Sequence, residues 1–135
     1  MPGQFVRSKN GLTDFETGPT LFSPTMRHNA VLKQGSTLNV FYTNVGDEPE
    51  RILHTMIDID ADWLQWQTND TVEVLRPEQD WGGASSPLEP SMRSVAYGSV
   101  NQLRDPAIYI ENNQVYLLYA TAGESGIAIA ELNQL

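Results

Sequence analysis

Apolar positions along this chain fall in short runs, without the three-to-four-residue rhythm of an amphipathic helix. The runs Ala30 to Lys33, Thr37 to Val45, Glu50 to Ile59 and Thr71 to Leu75 are rich in Val, Ile, Tyr, Phe and Thr, which fit a pleated surface. QGS, GDEP and DADWLQWQTND separate them with turn-forming residues. Further on, Ala107 to Ile110, Gln114 to Thr121 and Gly126 to Leu132 are divided by ENN and AGES. The pattern predicts seven strands in two groups and no helix. Residues 76–103, RPEQDWGGASSPLEPSMRSVAYGSVNQL, lie between the groups. Their Pro, Gly and Ser content predicts a long ordered loop, a feature that in compact domains is usually functional or forms a rim.

The two groups repeat one another. RHNAVLKQGSTLNVFYTNVG, from Arg27, aligns without a gap on RDPAIYIENNQVYLLYATAG, from Arg104, at an offset of 77 positions. Arg27 falls on Arg104, Ala30 on Ala107, Tyr42 on Tyr119 and Gly46 on Gly123, while His28 falls on Asp105. A small antiparallel sheet used repeatedly points to a β-propeller, whose blades pack both faces against their neighbours. Such packing also accounts for VYLLYA, which is apolar throughout instead of alternating. The expected fold is all-β: a partial propeller of two to three four-stranded antiparallel blades. The whole of 1–135 then forms a single domain, with blade-like repeats at about 27–76 and 104–135.

This arrangement gives the polar residues at the strand entrances a role. The first strand of a blade lines the central channel, so His28, Arg104 and Asp105 are expected to converge on one funnel. The second strand runs back, so the loops after it bring Asp47 and Glu124 to the same rim. Pro106 is expected to hold Asp105 extended, presenting its carboxylate just before the strand. Carboxylates, a histidine and arginines around a funnel suit a polar, neutral ligand such as a sugar.

Composition narrows the partners. Seventeen acidic residues against eight basic ones give a formal charge of −9, which repels phosphate backbones and anionic lipid. Neither nucleic acid nor membrane is expected as a partner. Cysteine is absent, which removes disulfides, thiolate metal sites and cysteine nucleophiles. There is no secretory-type apolar leader and no run of about 18 apolar residues, so the chain as given is expected to be soluble, cytoplasmic by default. Only His28 and His54 are available for a histidine metal site, and no HExxH-type spacing occurs. No metal and no cofactor is expected. Trp63 and Trp66, in DWLQWQ, are expected to pack a blade edge; Trp81 is left free to stack.

The segments LRDPAIYIENNQVYLLYATAGESGIAIAEL, HNAVLKQGSTLNVFYTNVGD and DWLQWQTNDTVEVLRPEQDW resemble the five-bladed β-propeller glycosidases. That superfamily includes arabinanases, fructosidases, mannoside phosphorylases and uncharacterised relatives. The resemblance covers roughly residues 22–135 and looks like the C-terminal part of such proteins. It implies a glycoside hydrolase-like protein that acts on or binds a carbohydrate. Asp105 is implied as the supporting carboxylate that orients the sugar, with Arg104 and His28 holding hydroxyls. The early carboxylate of the family has no counterpart here, and Glu89 is the candidate acid from this chain. Hydrolysis requires two carboxyl groups about 5–5.5 Å or 6.5–9.5 Å apart. One firm carboxylate therefore leaves catalysis open, and a non-catalytic binding protein or structural remnant is the alternative. Two or three blades also leave apolar flanks uncovered, from which a homodimer is expected. QFVRS or TLFSP is expected to supply a missing outer strand to the last blade.

Overall fold

A computed structural model describes residues 3–133. Its strands are β1 (Gln4–Arg7), β2 (Glu16–Thr20), β3 (Met26–Gln34), β4 (Thr37–Asn44), β5 (Ile52–Asp58), β6 (Val72–Leu75), β7 (Arg104–Glu111), β8 (Gln114–Thr121) and β9 (Gly126–Leu132). The described residues hold no α-helix, only two three-residue 3-10 turns at Trp63–Gln65 and Asp80–Gly82. The strands form three antiparallel sheets: β1-β2, β3-β4-β5-β6 and β7-β8-β9. The all-β expectation holds, and the seven expected strands are present as β3 to β9, with β3 and β7 beginning earlier, at Met26 and Arg104; β1 and β2 are two further strands that the apolar runs did not show.

The sequence repeat is a structural repeat, carried in the pairing register. In the first sheet Arg27 pairs Thr43, Ala30 pairs Phe41, Val31 pairs Val40 and Gln34 pairs Thr37. In the second, Arg104 pairs Ala120, Ala107 pairs Leu118, Ile108 pairs Leu117 and Glu111 pairs Gln114. Every second pair is the first advanced by the same 77 positions. The irregularity is repeated too, since each first strand carries a bulge, between Arg27 and Ala30 and between Arg104 and Ala107. Inside each bulge one residue without a glycine's freedom adopts a left-handed backbone: His28 at φ 47° and Asp105 at φ 49°. The turns after β4 and β8 close through Gly46 and Gly123, at φ 93° and 80°, where a side chain would be strained.

The sheets stack in layers because each strand presents alternate residues to opposite sides. Val40, Tyr42, Leu53 and Ile57 point from the first sheet toward the β1-β2 hairpin, whose Phe5, with Leu21 and Phe22, covers them. Phe41 and Ile52 point the other way and meet Leu117, Tyr119 and Leu103 at the second sheet. Phe41, Ile52 and Leu117 are fully enclosed, each contributing about 1.5–3 kcal/mol of burial. Trp63 and Trp66 pack as expected: Trp66 meets Phe5 edge-on at 5.6 Å, and Trp63 lies against Gly18 and under the Arg7 guanidinium at 4.0 Å.

Four expectations change. QFVRS does not complete the last sheet; β1 pairs with β2, whose strand ends at Thr20, in a hairpin on the first sheet. TLFSP starts on the last residue of β2, Thr20, and goes on as the bend that carries Leu21 and Phe22 into the core. The second sheet has three strands among the described residues, not four. VYLLYA is covered on one face only, because Leu117 and Tyr119 reach the first sheet while Leu118 and Ala120 point away from it. Asp105 is not extended, although proline follows it. The bulge needs a residue that turns the chain, and aspartate tolerates the left-handed region better than most residues.

Candidate functional site

The bulges aim two equivalent side chains at each other. His28 Nδ1 lies 3.0 Å from Asp105 Oδ1, with both side chains partly open to solvent. The distance suits an ion pair with a protonated ring, but the angles are not those of a hydrogen bond. Burial lowers the His28 pKa below its ordinary 6.5, against the pull of Asp105 and aided by repulsion from Arg27. The ring is therefore neutral near pH 7 and offers a donor and an acceptor.

Beneath this pair the two repeat arginines share one carboxylate. Glu50 is fully buried. Arg27 grips it with two parallel bonds, Nε donating to Oε1 at 2.9 Å and Nη2 to Oε2. Arg104 Nε stands 3.5 Å from the same Oε2. Burial pushes the Glu50 pKa up, but the hydrogen bonds and charge of Arg27, with the nearby Thr43 and Ser91 hydroxyls, outweigh it and hold the carboxyl below its usual range. Arg104 donates also to Gln102 at 2.9 Å, to the Ser94 carbonyl at 3.2 Å and to Glu124 at 3.0 Å. It is 2 % exposed, so it braces the rim from below and does not present donors to a ligand.

The remaining predicted residues divide. Glu124 joins the network through Arg104 and accepts from the Ala96 amide at 3.4 Å. Asp47 is half-buried beside Arg51 at 3.3 Å, and burial raises its pKa despite that arginine. Glu89 is exposed on the long loop and forms no ion pair among the described residues. That loop is held on the rim by backbone bonds: Gly46 to Ser91 at 3.0 Å, Ser91 to Asp47 at 3.1 Å, Leu103 to Glu50 at 2.9 Å and Ala122 to Gly82 at 3.1 Å. Trp81 is exposed, outside the rim network. A concavity of about 450 Å³ opens elsewhere, on the hairpin loop beside Arg7, Asn10 and Asp14, and shares no residue with the rim.

Glu50 was not singled out by its sequence. Its signal was present: a buried arginine needs a counter-charge, the repeat supplies two arginines, and Glu50 stands two residues before the apolar strand β5. Its three charged neighbours in GDEPER, Asp47, Glu48 and Arg51, hide which carboxylate turns inward. His54 is structural: it stacks on Phe41 at 4.7 Å and its Nε2 lies 2.9 Å from Asn39 Oδ1. No group of three or more His, Asp or Glu suited to a metal occurs among the described residues. No helix is long and apolar enough to cross a membrane.

No family model matches the chain, and no solved structure matches it. The chain is 36% identical, over 146 aligned positions, to an uncharacterised protein of Acanthamoeba polyphaga mimivirus. The alignment takes in 96% of this chain and 41% of the mimivirus protein, so the chain spans about two-fifths of the length of the relative it matches.

Proposed function

We propose that the chain is part of a β-propeller of the five-bladed glycosidase type and binds a neutral carbohydrate at the rim formed by His28 and Asp105. Its two register-matched sheets stand as successive blades. The observation that carries the reading is the pair of left-handed residues, His28 and Asp105, at matching positions of two bulges. Backbone in this region costs about 1–2 kcal/mol per non-glycine residue, and such strain collects where a side chain must be aimed. The result is a half-exposed carboxylate and a neutral imidazole over a rigid arginine–glutamate floor, a set of acceptors and donors matched to sugar hydroxyls. Binding is favoured over hydrolysis because Glu50 and Glu124 are each held by an arginine, leaving Asp105 without a free carboxylic partner in the network.

The test is calorimetric titration with mono- and disaccharides, alongside a panel of aryl glycosides. Saturable binding lost in Asp105→Asn, with the melting temperature kept, supports the reading. Turnover lost in the same variant replaces binding with catalysis. Absence of both across the panel overturns the carbohydrate reading and leaves a structural remnant.

A further inference from the structure

The loop between β1 and β2, Ser8 to Phe15, is held by bonds that converge on one side chain. Asn10 Oδ1 accepts from the Leu12 amide at 2.8 Å and from the Thr13 amide at 2.9 Å. Two backbone donors on one oxygen fix which end of the side-chain amide is which. The other end, Nδ2, donates to Thr13 Oγ1 at 3.0 Å, and that hydroxyl donates to Asp14 Oδ2 at 3.0 Å. Glycine follows Asn10, and no other asparagine of the chain is followed by glycine. Gly11 has a left-handed backbone at φ 73°, and nothing stands within 4 Å of the place a Cβ would occupy. Its nitrogen is therefore unhindered, and it donates to Ser8 Oγ at 3.2 Å. Ser8, Asn10, Thr13 and Asp14 line the hairpin cavity of about 450 Å³, which opens the side-chain amide to water.

We propose that Asn10 is a self-modifying residue: the loop promotes attack of the Gly11 nitrogen on Asn10 Cγ, converting asparagine to aspartate and isoaspartate with loss of ammonia. The attack closes a five-membered ring, because the two atoms are already joined through the C, Cα and Cβ of Asn10. The Gly11 proton leaves toward Ser8 Oγ and passes to solvent hydroxide. As the N–Cγ bond forms, negative charge gathers on Oδ1, where the Leu12 and Thr13 amides already stand at the distance from which oxyanion donors act. The Cγ–Nδ2 bond then breaks. The leaving nitrogen takes a proton from the Thr13 hydroxyl, which water replaces, and departs as ammonia. Water next adds to the imide: opening its bond to Cγ gives aspartate, and opening its bond to the backbone carbon gives isoaspartate. Nothing is oxidised or reduced; one water is taken up and one ammonia released. The product is one charge more negative than the −9 of the chain, in a cavity that Arg7 and Lys9 also line. The site shares no residue with the rim, so the inference stands apart from carbohydrate binding.

The test incubates the full chain near neutral pH, native and in concentrated urea. Residue 10 is followed by peptide mass spectrometry, through the mass gain that exchanges –NH2 for –OH, with chromatographic separation of the aspartate and isoaspartate forms. The expected result is conversion of Asn10 to both products, at least threefold faster in the native chain than in urea. Ser8→Ala and Thr13→Val are each expected to remove that advantage while leaving the rate in urea unchanged, a separation that a merely accessible loop would not show. Gly11→Ala is expected to slow conversion in both states. The comparison of native with unfolded wild type stands whatever the variants do to the loop. A native rate equal to or below the rate in urea overturns the proposal. Retention of the native advantage in both Ser8→Ala and Thr13→Val does the same.

Discussion

Glu50→Gln removes the charge that two buried arginines share while keeping the side-chain volume. In the native protein Arg27 makes two parallel bonds to Glu50, and the two side chains are 8% and 0% exposed. Arg104 keeps Glu124 and Gln102 after the substitution, but Arg27 keeps only the Met92 carbonyl, at 3.1 Å. Breaking a buried pair by neutralising one partner costs about 3–5 kcal/mol, because the stranded charge remains out of water. Glutamine preserves one acceptor, which places the expectation near 3 kcal/mol. In a domain whose whole stability is about 5–15 kcal/mol this is a large fraction. At roughly 3–5 °C per kcal/mol for a chain of this size, the melting temperature is expected to fall by about 10–15 °C. Glu16→Gln is the control, because it leaves Arg7 over Trp63 and the Arg7–Glu16 pair, 57% and 61% exposed, is worth about 0–1 kcal/mol. Urea unfolding followed by tryptophan fluorescence and far-ultraviolet circular dichroism measures both. The Glu50→Gln/Arg27→Met double variant should recover part of the loss, since it strands no charge at that pair. A Glu50→Gln cost below about 1 kcal/mol would refute the view that this carboxylate ties the two repeats together.

The same network sets the response to acid. His28 and His54 are both held below their ordinary 6.5 by burial, so the unfolded chain binds more protons than the folded one just below that pH. Their contribution is whole above pH 6.5 and lost as pH falls through the lowered folded values; melting curves from pH 7.5 to 5 should show the decline, and His28→Gln should flatten it. Glu50, held below its ordinary 4.5, adds a second loss at lower pH that Glu50→Gln should lack. Leu117→Ala empties the contact between the two sheets at a residue with no exposure, for an expected 2–5 kcal/mol by urea unfolding. A cost under 1 kcal/mol would mean that the sheets do not rely on that contact.

Much of the architecture is legible in the order of residue types. Strand formers between turn formers placed β4, β8 and β9 nearly to the residue, because alternation and β-branching act over a few positions. The gapless repeat placed His28 opposite Asp105 in register before any contact was known. Less legible was the bulge. Proline after Asp105 argues locally for extended backbone, and only the demand of the paired strand β8 turns that residue left-handed. The hairpin was misplaced for a related reason, since QFVR reads as a strand whatever strand it joins.

What the sequence determined alone was local and periodic: an all-β chain, its repeat, its turns and a net charge of −9. What the tertiary structure decided was which charges meet. Arg27, Glu50 and Arg104 come from three separate elements, and their convergence depends on how one sheet stacks on the other. Burial and Coulomb attraction act through space across that stack, so the carboxylate chosen from the GDEPE turn was Glu50 and not Asp47. Burial has the same origin: Ile52 and Ile127 are both strand isoleucines, yet Ile52 is enclosed by the second sheet while Ile127 is 81% exposed among the described residues.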